Sequence, residues 1–230
     1  MSRLAHLRDS TEPLALVEDD RVAPFAELSG FASIDELAAA GQAGLDAVAS
    51  LAEEAMAAAV PLEDGMLAAP LLAPPKIACV GLNFHDHCRE TGMEPPAKPL
   101  IFAKFLSSLI GPEEPITWDP ELTSEVDWEA ELAVVIGATL RRSSPEEAME
   151  GVFGYTCAND VSARDLQFGD GQWVRGKSLD TFCPVGPTVV TADEFGDPQA
   201  KRLRCLVDGE VKQDSSTAEM IFGVAEILSF

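Results

Sequence analysis

The sequence predicts an α+β fold, mainly β, in which an irregular antiparallel or mixed β region follows a small, helix-rich one. Three observations predict it. Short β-type segments crowd residues 77–213 and outnumber the helices there, no regular helical crossover separates them, and the long Ala-rich run is confined to the first 70 residues. A doubly wound parallel sheet needs a crossover between successive strands, and this pattern does not supply one.

In chain order, "LALVEDDRVAPFAEL" reads as a short hairpin, and "SIDELAAAGQAGLDAVASLAEEAMAAAV" as two helices broken near Gly41 to Gly44. The proline-rich "PLLAPPK" at 70–76 closes this region, so the expected division is a small domain over 1–70 and a larger one over 71–230. The second region opens with the strand "KIACVG". Further strands are expected at 100–104, 125–136, 152–159 and 185–191, with a hairpin at 203–213 turning at Asp208-Gly209. Short helices are expected at 84–91, 145–150 and 217–228.

A net charge of −23 over 230 residues argues against nucleic acid and anionic membrane as partners. An anionic substrate would then need a local positive cluster. The N-terminus lacks the apolar core of a secretory signal and no apolar stretch reaches membrane-spanning length, so a soluble cytoplasmic protein is expected. Cys79, Cys88, Cys157, Cys183 and Cys205 are widely spaced without a CxxC, which reads as buried free thiols. The chain contains no GxGxxG, P-loop or GxSxG motif.

Three constellations carry chemistry. In "SEVDWEAELAVVIG", Glu125, Asp127, Glu129 and Glu131 alternate with Val126, Trp128, Ala130 and Leu132, which puts four carboxylates on one strand face. Glu129 and Glu131 would lie roughly 7 Å apart. Either water solvates that face or a hard divalent cation, Mg²⁺ or Mn²⁺, relieves the repulsion. Asp160, at the end of the strand in "YTCANDVSARDLQ", is a further oxygen ligand or the cap of a short helix starting at Ser162. In "GLNFHDHCRETG", Asn83 is placed to cap a helix that Gly92 ends, with His87 and Glu90 three apart on one face. Such a pair is a surface contact or a general base oriented by a carboxylate. Lys104, Arg164, Arg175 and Lys177 form the cationic set, with Lys177 expected on a loop.

Together with "NDVSARDLQ", "GKSLDTFCPVGP" and "VDGEVKQ…STAEMIF", these segments resemble the fumarylacetoacetate hydrolase family in order and spacing from about Lys76 to Phe230. The resemblance implies a mixed β-sandwich roll with a few short helices and a small, variable N-terminal α/β domain. It implies Mg²⁺ or Mn²⁺ on Glu129, Glu131 and Asp160, a catalytic dyad at His87 and Glu90, an active-site lysine at Lys177, and substrate contacts from Arg164 and Gln167. Glu125 and Asp127 are not ligands in that pattern and are expected to be the solvated end of the strand. A homodimer acting on a small anionic dicarbonyl acid is also implied.

The activity so implied is hydrolysis of the C–C bond of an acylpyruvate-like 2,4-dioxo acid, with water activated by His87 and pyruvate released. Oxaloacetate tautomerisation, isomerisation or decarboxylation at the same site is the alternative, favoured by "SEVDWEAELAVVIG" and "KFLSSLIGP". Family members continue past the helix near Val224 into Pro-Gly-Asp and Gly-Thr-Pro segments that these 230 residues do not contain. The expectation is therefore a catalytic region incomplete at its C-terminal side, belonging to a longer enzyme or, alternatively, to an inactive metal-binding protein.

Overall fold

The computed structural model describes residues 3–230. Strands β1 (Arg3–Leu7), β2 (Leu14–Glu18) and β3 (Arg21–Pro24) form a meander, followed by helices α1 (Ala26–Ser29), α2 (Ile34–Ala39) and α3 (Gln42–Ala57). The short β4 (Val60–Pro61) and β5 (Leu67–Ala68) add to β3 and β1. Then β6 (Ile77–Gly81), α4 (His85–Thr91) and β7 (Leu100–Lys104) build a separate two-stranded sheet. The chain continues through β8 (Leu109–Ile110), β9 (Val126–Asp127), β10 (Ala130–Ile136), α5 (Pro145–Glu150), β11 (Val152–Asn159), β12 (Ser162–Ala163), α6 (Arg164–Gly169) and α7 (Val174–Lys177). It ends with β13 (Cys183–Thr191), α8 (Ala192–Phe195), the hairpin β14 (Arg202–Val207) and β15 (Glu210–Ser216), and α9 (Val224–Ser229). The fold is α+β and mainly β, with few and short helices, as the sequence predicts.

The large sheet runs β10-β11-β13-β1-β2-β3-β4, so strands from the first 70 residues continue the sheet built by the rest. Arg3 and Leu4 pair with Val190 and Val189, which carries the ladder across residue 70 without a break. The core follows the sheet. Leu4, Leu14, Leu16, Phe25, Ile34 and Leu37 pack in one cluster with Val135, Phe153 and Val189. Apolar alternation in β1 and β2 buries one face under α2 and α3, whose Ala-rich surfaces allow close approach.

Three elements depart from the sequence reading. The expected strand over 125–136 is interrupted at Trp128 and Glu129, because side chains replace the ladder there. Asp127 Oδ1 accepts from the Trp128 N–H (3.0 Å), Asn159 Oδ1 from Glu129 (2.9 Å) and Gln213 Oε1 from Ala130 (2.7 Å). The expected helix over 217–228 splits into a 3₁₀ turn, Thr217–Glu219, and α9. Asn83 explains the split: it does not cap α4 but takes the Phe222 N–H on Oδ1 (2.9 Å) and donates to the Phe222 carbonyl (3.0 Å). All five cysteines are free, yet only Cys88 and Cys183 are buried, and Cys157 is exposed. No helix among the described residues is long and apolar enough to cross a membrane.

His6 staples this architecture. Its ring is fully buried in β1, with Nδ1 donating to the Ala69 carbonyl (3.0 Å) and Nε2 accepting the Ile34 N–H at the start of α2 (3.0 Å). That pattern needs a neutral imidazole. Burial lowers its pKa below the ordinary 6.5, although the Ala69 carbonyl and Asp35 oppose the shift. The unfolded chain therefore takes up this proton before the native one does, and stability falls as pH drops below 6.5 toward the native pKa. We predict that thermal unfolding midpoints fall between pH 7.5 and pH 5, with a shallower slope in His6→Gln. Replacement by Ala should cost about 2–4 kcal/mol through the lost packing and hydrogen bonds. A slope unchanged by His6→Gln would contradict this account.

Candidate active site

The interruption between β9 and β10 creates the site. β10 pairs with β11 up to Ala130 opposite Asn159, whereas β9 pairs with β12 through Asp127 opposite Ser162. Between the two ladders, the Asp160 N–H donates to the Glu129 carbonyl (2.8 Å), which sets Glu129 and Asp160 side by side. Glu131 lies opposite Ala158, two positions along the same strand face. Sequence positions 129, 131 and 160 thus converge because one strand pair hands over to another.

Cations fill the space between these acids. Lys177 Nζ donates to Glu129 Oε2 (2.6 Å) and Asp160 Oδ2 (2.9 Å), and Lys104 Nζ to Asp160 Oδ1 (2.5 Å). Arg164 reaches Glu129 Oε1 through Nη1 (2.5 Å) and Asp127 Oδ2 through Nη2 (2.7 Å) and Nε (3.0 Å), and Nη1 also donates to Gln167 Oε1 (3.0 Å). Lys104, Lys177 and Asp160 are only 3%, 2% and 7% exposed, so none of the three is screened by bulk water. Four carboxylates face three cations here, which leaves one negative charge in excess when all are ionised. Glu131 is the acid left over: among the described residues its carboxyl has no hydrogen bond or ion pair. Burial, followed by Glu129 and Asp160, pushes its carboxyl well above the ordinary range, with Lys177 opposing. Arg164 is moved the other way round. Burial would lower its pKa, but Glu129 and Asp127 outweigh it and raise it.

Lys177 is delivered by a helix, not by the loop expected from its neighbours. Trp173 packs edge-on against Phe102, at 5.4 Å between ring centroids, and Lys177 Nζ lies 5.2 Å from the Phe102 centroid. Gly176 permits the seat of α7, because an added Cβ would fall 2.6 Å from the Gln167 nitrogen and 2.8 Å from the Ala163 oxygen. Two thiols border the cluster: burial raises Cys79, and it pushes Cys183 up to about 11.

The structure thus brings together Glu129, Glu131, Asp160, Lys177, Arg164 and Gln167. His87 and Glu90 lie on exposed positions of α4, with Nδ1 3.8 Å from Oε2 and no hydrogen bond or ion pair to the acid cluster among the described residues. Helix α4 is tied instead to the C-terminal hairpin region through Asp86 to Ser215 and Arg89 to Glu219. Asp127 is corrected from a solvated acid to the partner of Arg164, and Arg175 from a member of the cationic set to the partner of Asp170. The expected free positive pocket is absent among the described residues, since the site's cations are consumed by its acids. Sequence reasoning missed the roles of Gln213 and Asn159, whose amides hold the break open, and gave Lys104 only a place in the cationic set. The hairpin expected at 203–213 put Gln213 on a strand without showing which strand it would meet.

Among the described residues, no three His, Cys, Asp or Glu side chains converge as a ready-made ligand set for a metal. The donor chemistry nevertheless fits a hard cation: three carboxylates from Glu129, Glu131 and Asp160, with the Lys177 ammonium standing as the positive charge between two of them.

A mainly β fold whose broken strand pair gathers carboxylates around two buried lysines is the feature that sets this chain apart. The C-terminal domain profile of the fumarylacetoacetate (FAA) hydrolase family matches residues 76–230, and the chain belongs to that family. Among curated relatives, oxaloacetate tautomerase Fahd2a, mitochondrial, of Rattus norvegicus is 44% identical over 185 residues, which cover 79% of this chain and 59% of the relative. The chain therefore spans less than two thirds of that relative's length. Among solved structures, a fumarylacetoacetate hydrolase from Exiguobacterium antarcticum superposes with a TM-score of 0.84 at 35% identity, covering 100% of this chain and 80% of the other. A maleylpyruvate hydrolase from Sphingobium sp. SYK-6, in complex with manganese(II) and pyruvate, gives 0.79 at 29% identity, covering 99% and 81%.

Gly176→Ala tests how the site is assembled. It should lower stability by about 1–3 kcal/mol, because α7 must lift from α6. The released lysine should become reactive: trinitrobenzenesulfonate labelling of Lys177, followed by peptide mapping, is expected to rise in the variant. Unchanged labelling with unchanged stability would show that α7 does not depend on this contact.

Proposed function

We propose that the chain catalyses keto–enol tautomerisation of a small 2-oxo dicarboxylic acid, with Glu129, Glu131 and Asp160 holding Mg²⁺ or Mn²⁺. The one carboxyl of the site left unpartnered among the described residues, Glu131, carries the reading. The other three acids occupy all three cations, so an anionic substrate finds no free positive charge, whereas one divalent ion held by the acids would supply it. When bound, the cation would supply Lewis-acid polarisation of the 2-oxo group and a template for the neighbouring carboxylate. The relative named as an oxaloacetate tautomerase and the neighbour holding manganese and pyruvate support this assignment.

The chemistry required of the chain is modest. A proton leaves the carbon next to the 2-oxo group and the carbonyl oxygen gains one, with no water consumed. Lys177, whose ammonium is already aimed among the acids, supplies positive charge for the developing oxyanion. Arg164 and Gln167 keep Glu129 in place, Arg164 through its bond to Glu129 Oε1 and Gln167 by accepting from the same Nη1. Sequence reasoning ranked hydrolysis first. That reaction needs an activated water, and the pair expected to activate it, His87 and Glu90, makes no hydrogen bond or ion pair to the acids among the described residues. C–C bond hydrolysis of an acylpyruvate is the second reading, favoured by the maleylpyruvate hydrolase neighbour and by the 3.8 Å approach of His87 to Glu90. It requires α4 to bring that pair to the site.

The two readings separate in one assay. Enol absorbance of oxaloacetate and of an acylpyruvate is followed with and without Mg²⁺ or Mn²⁺ in ¹⁸O-labelled water, and pyruvate release is scored. Tautomerisation predicts metal-dependent loss of the oxaloacetate enol beyond the spontaneous rate, unaffected by His87→Ala and reduced about 100-fold by Glu131→Gln. Pyruvate release from the acylpyruvate, with ¹⁸O in the other product acid and loss of activity in His87→Ala, would overturn it in favour of hydrolysis.

A further inference from the structure

We infer that Lys104 is the positioning residue that aims Asp160, a task separate from that of Lys177. The geometry stands by itself, and its consequence for a metal ion rests on the reading proposed above. Lys104 is the last residue of β7, which belongs to the separate β6–β7 sheet and pairs there with Ile77. Its side chain crosses to the end of β11, where Nζ donates to Asp160 Oδ1 (2.5 Å) and to the carbonyl of Val161 (3.2 Å). One ammonium thus grips the side chain of residue 160 and the backbone of residue 161, which fixes the direction in which the carboxylate points.

The two lysines on Asp160 are not equivalent. Lys177 divides its donors between Asp160 and Glu129, so it keeps an anionic partner if it leaves one of them. Among the described residues Lys104 has no anionic partner but Asp160, and its side chain is 1% exposed. Withdrawing it would strand a buried charge, which is strongly unfavourable. Lys104 is therefore the fixed anchor and Lys177 the exchangeable partner. Oδ1 is committed to the anchor, and Oδ2 is the oxygen Asp160 presents to the cluster. Asp160 then acts on a cation through a single oxygen, held as metal-ligating carboxylates are held by outer hydrogen bonds.

This role predicts a result opposite in sign to simple charge repulsion. A cation beside Asp160 competes electrostatically with any metal, so an unpositioned Lys104 would weaken metal binding and its removal would tighten it. A positioning Lys104 predicts the reverse. Mn²⁺ affinity is measured by the electron paramagnetic resonance signal of free Mn²⁺ for the 230-residue chain and for Lys104→Met, Lys104→Gln and Lys104→Arg. Thermal midpoints are measured in chelator for Lys104→Met, Asp160→Asn and the double variant.

The expected outcome is Mn²⁺ binding weakened about 10- to 100-fold in Lys104→Met, with most of the affinity restored in Lys104→Arg. Lys104→Met should lower the midpoint much more in the parent than in Asp160→Asn. Affinity that is unchanged or tighter, or equal midpoint losses in both backgrounds, overturns the inference. If Lys104→Met does not fold, Lys104→Gln, which keeps a donor without charge, decides by the same affinity criterion. A parent chain that binds no Mn²⁺ overturns the metal reading of the acids instead, and the midpoint comparison then decides alone on Lys104.

Discussion

Asp160 between two buried lysines is the interaction on which the site depends. The carboxylate is 7% exposed, and each of its oxygens takes an ammonium from a different part of the chain. Lys104 arrives on β7 and Lys177 on α7, so this one group ties the β6–β7 sheet and the α6–α7 segment to the end of β11. Buried charges of this kind are costly to bring together and more costly to separate. The arrangement contributes position more than stability.

The handover between strand pairs provides the room for it. A continuous strand from 125 to 136 would have paired all its backbone groups and kept its acids on an uninterrupted face. Asn159, Gln213 and Asp127 instead take three consecutive N–H groups with their side chains. None of these three N–H donors is left without an acceptor, as buried backbone requires. The break lets Glu129 and Asp160 face each other while Glu131 stays in regular strand geometry. The hairpin that supplies Gln213 turns at Asp208 and Gly209, both at positive φ (52° and 80°), which fits the two-residue turn expected there.

Charge explains how so acidic a chain could offer a site to the anion that the proposed function requires. The net charge of −23 is spread over the surface, while the site brings its own cations. Those cations are spent on neighbouring acids, which leaves the centre nearly neutral. A single added divalent ion then changes its sign, something a solvated acidic patch would not allow because water screens it.

How much was legible follows from which signals are local. The hairpin at 14–28, the two helices split at Gly41, the strands at 77–81, 100–104 and 152–159, and the helix ended by Gly92 all rest on periodicity and turn residues a few positions apart. The alternation of acids in "SEVDWEAELAVVIG" marked Glu129 and Glu131, and the strand-end position marked Asp160. Lys177 and Arg164 stood out as members of the cationic set, and the resemblance to a known family gave them roles and added Gln167, which local pattern alone would not have selected. The sequence by itself thus determined the elements, the acids and the family. Only the tertiary structure decided that β1 completes the sheet of the C-terminal region, that Asp127 belongs to Arg164, and that Lys104 grips Asp160. The contacts among these join residues far apart in the chain, from 37 positions for Asp127 with Arg164 and 56 for Lys104 with Asp160 to the pairing of Arg3 with Val190. The pairing of two charges so separated is set by how the sheets pack, and no local periodicity encodes that.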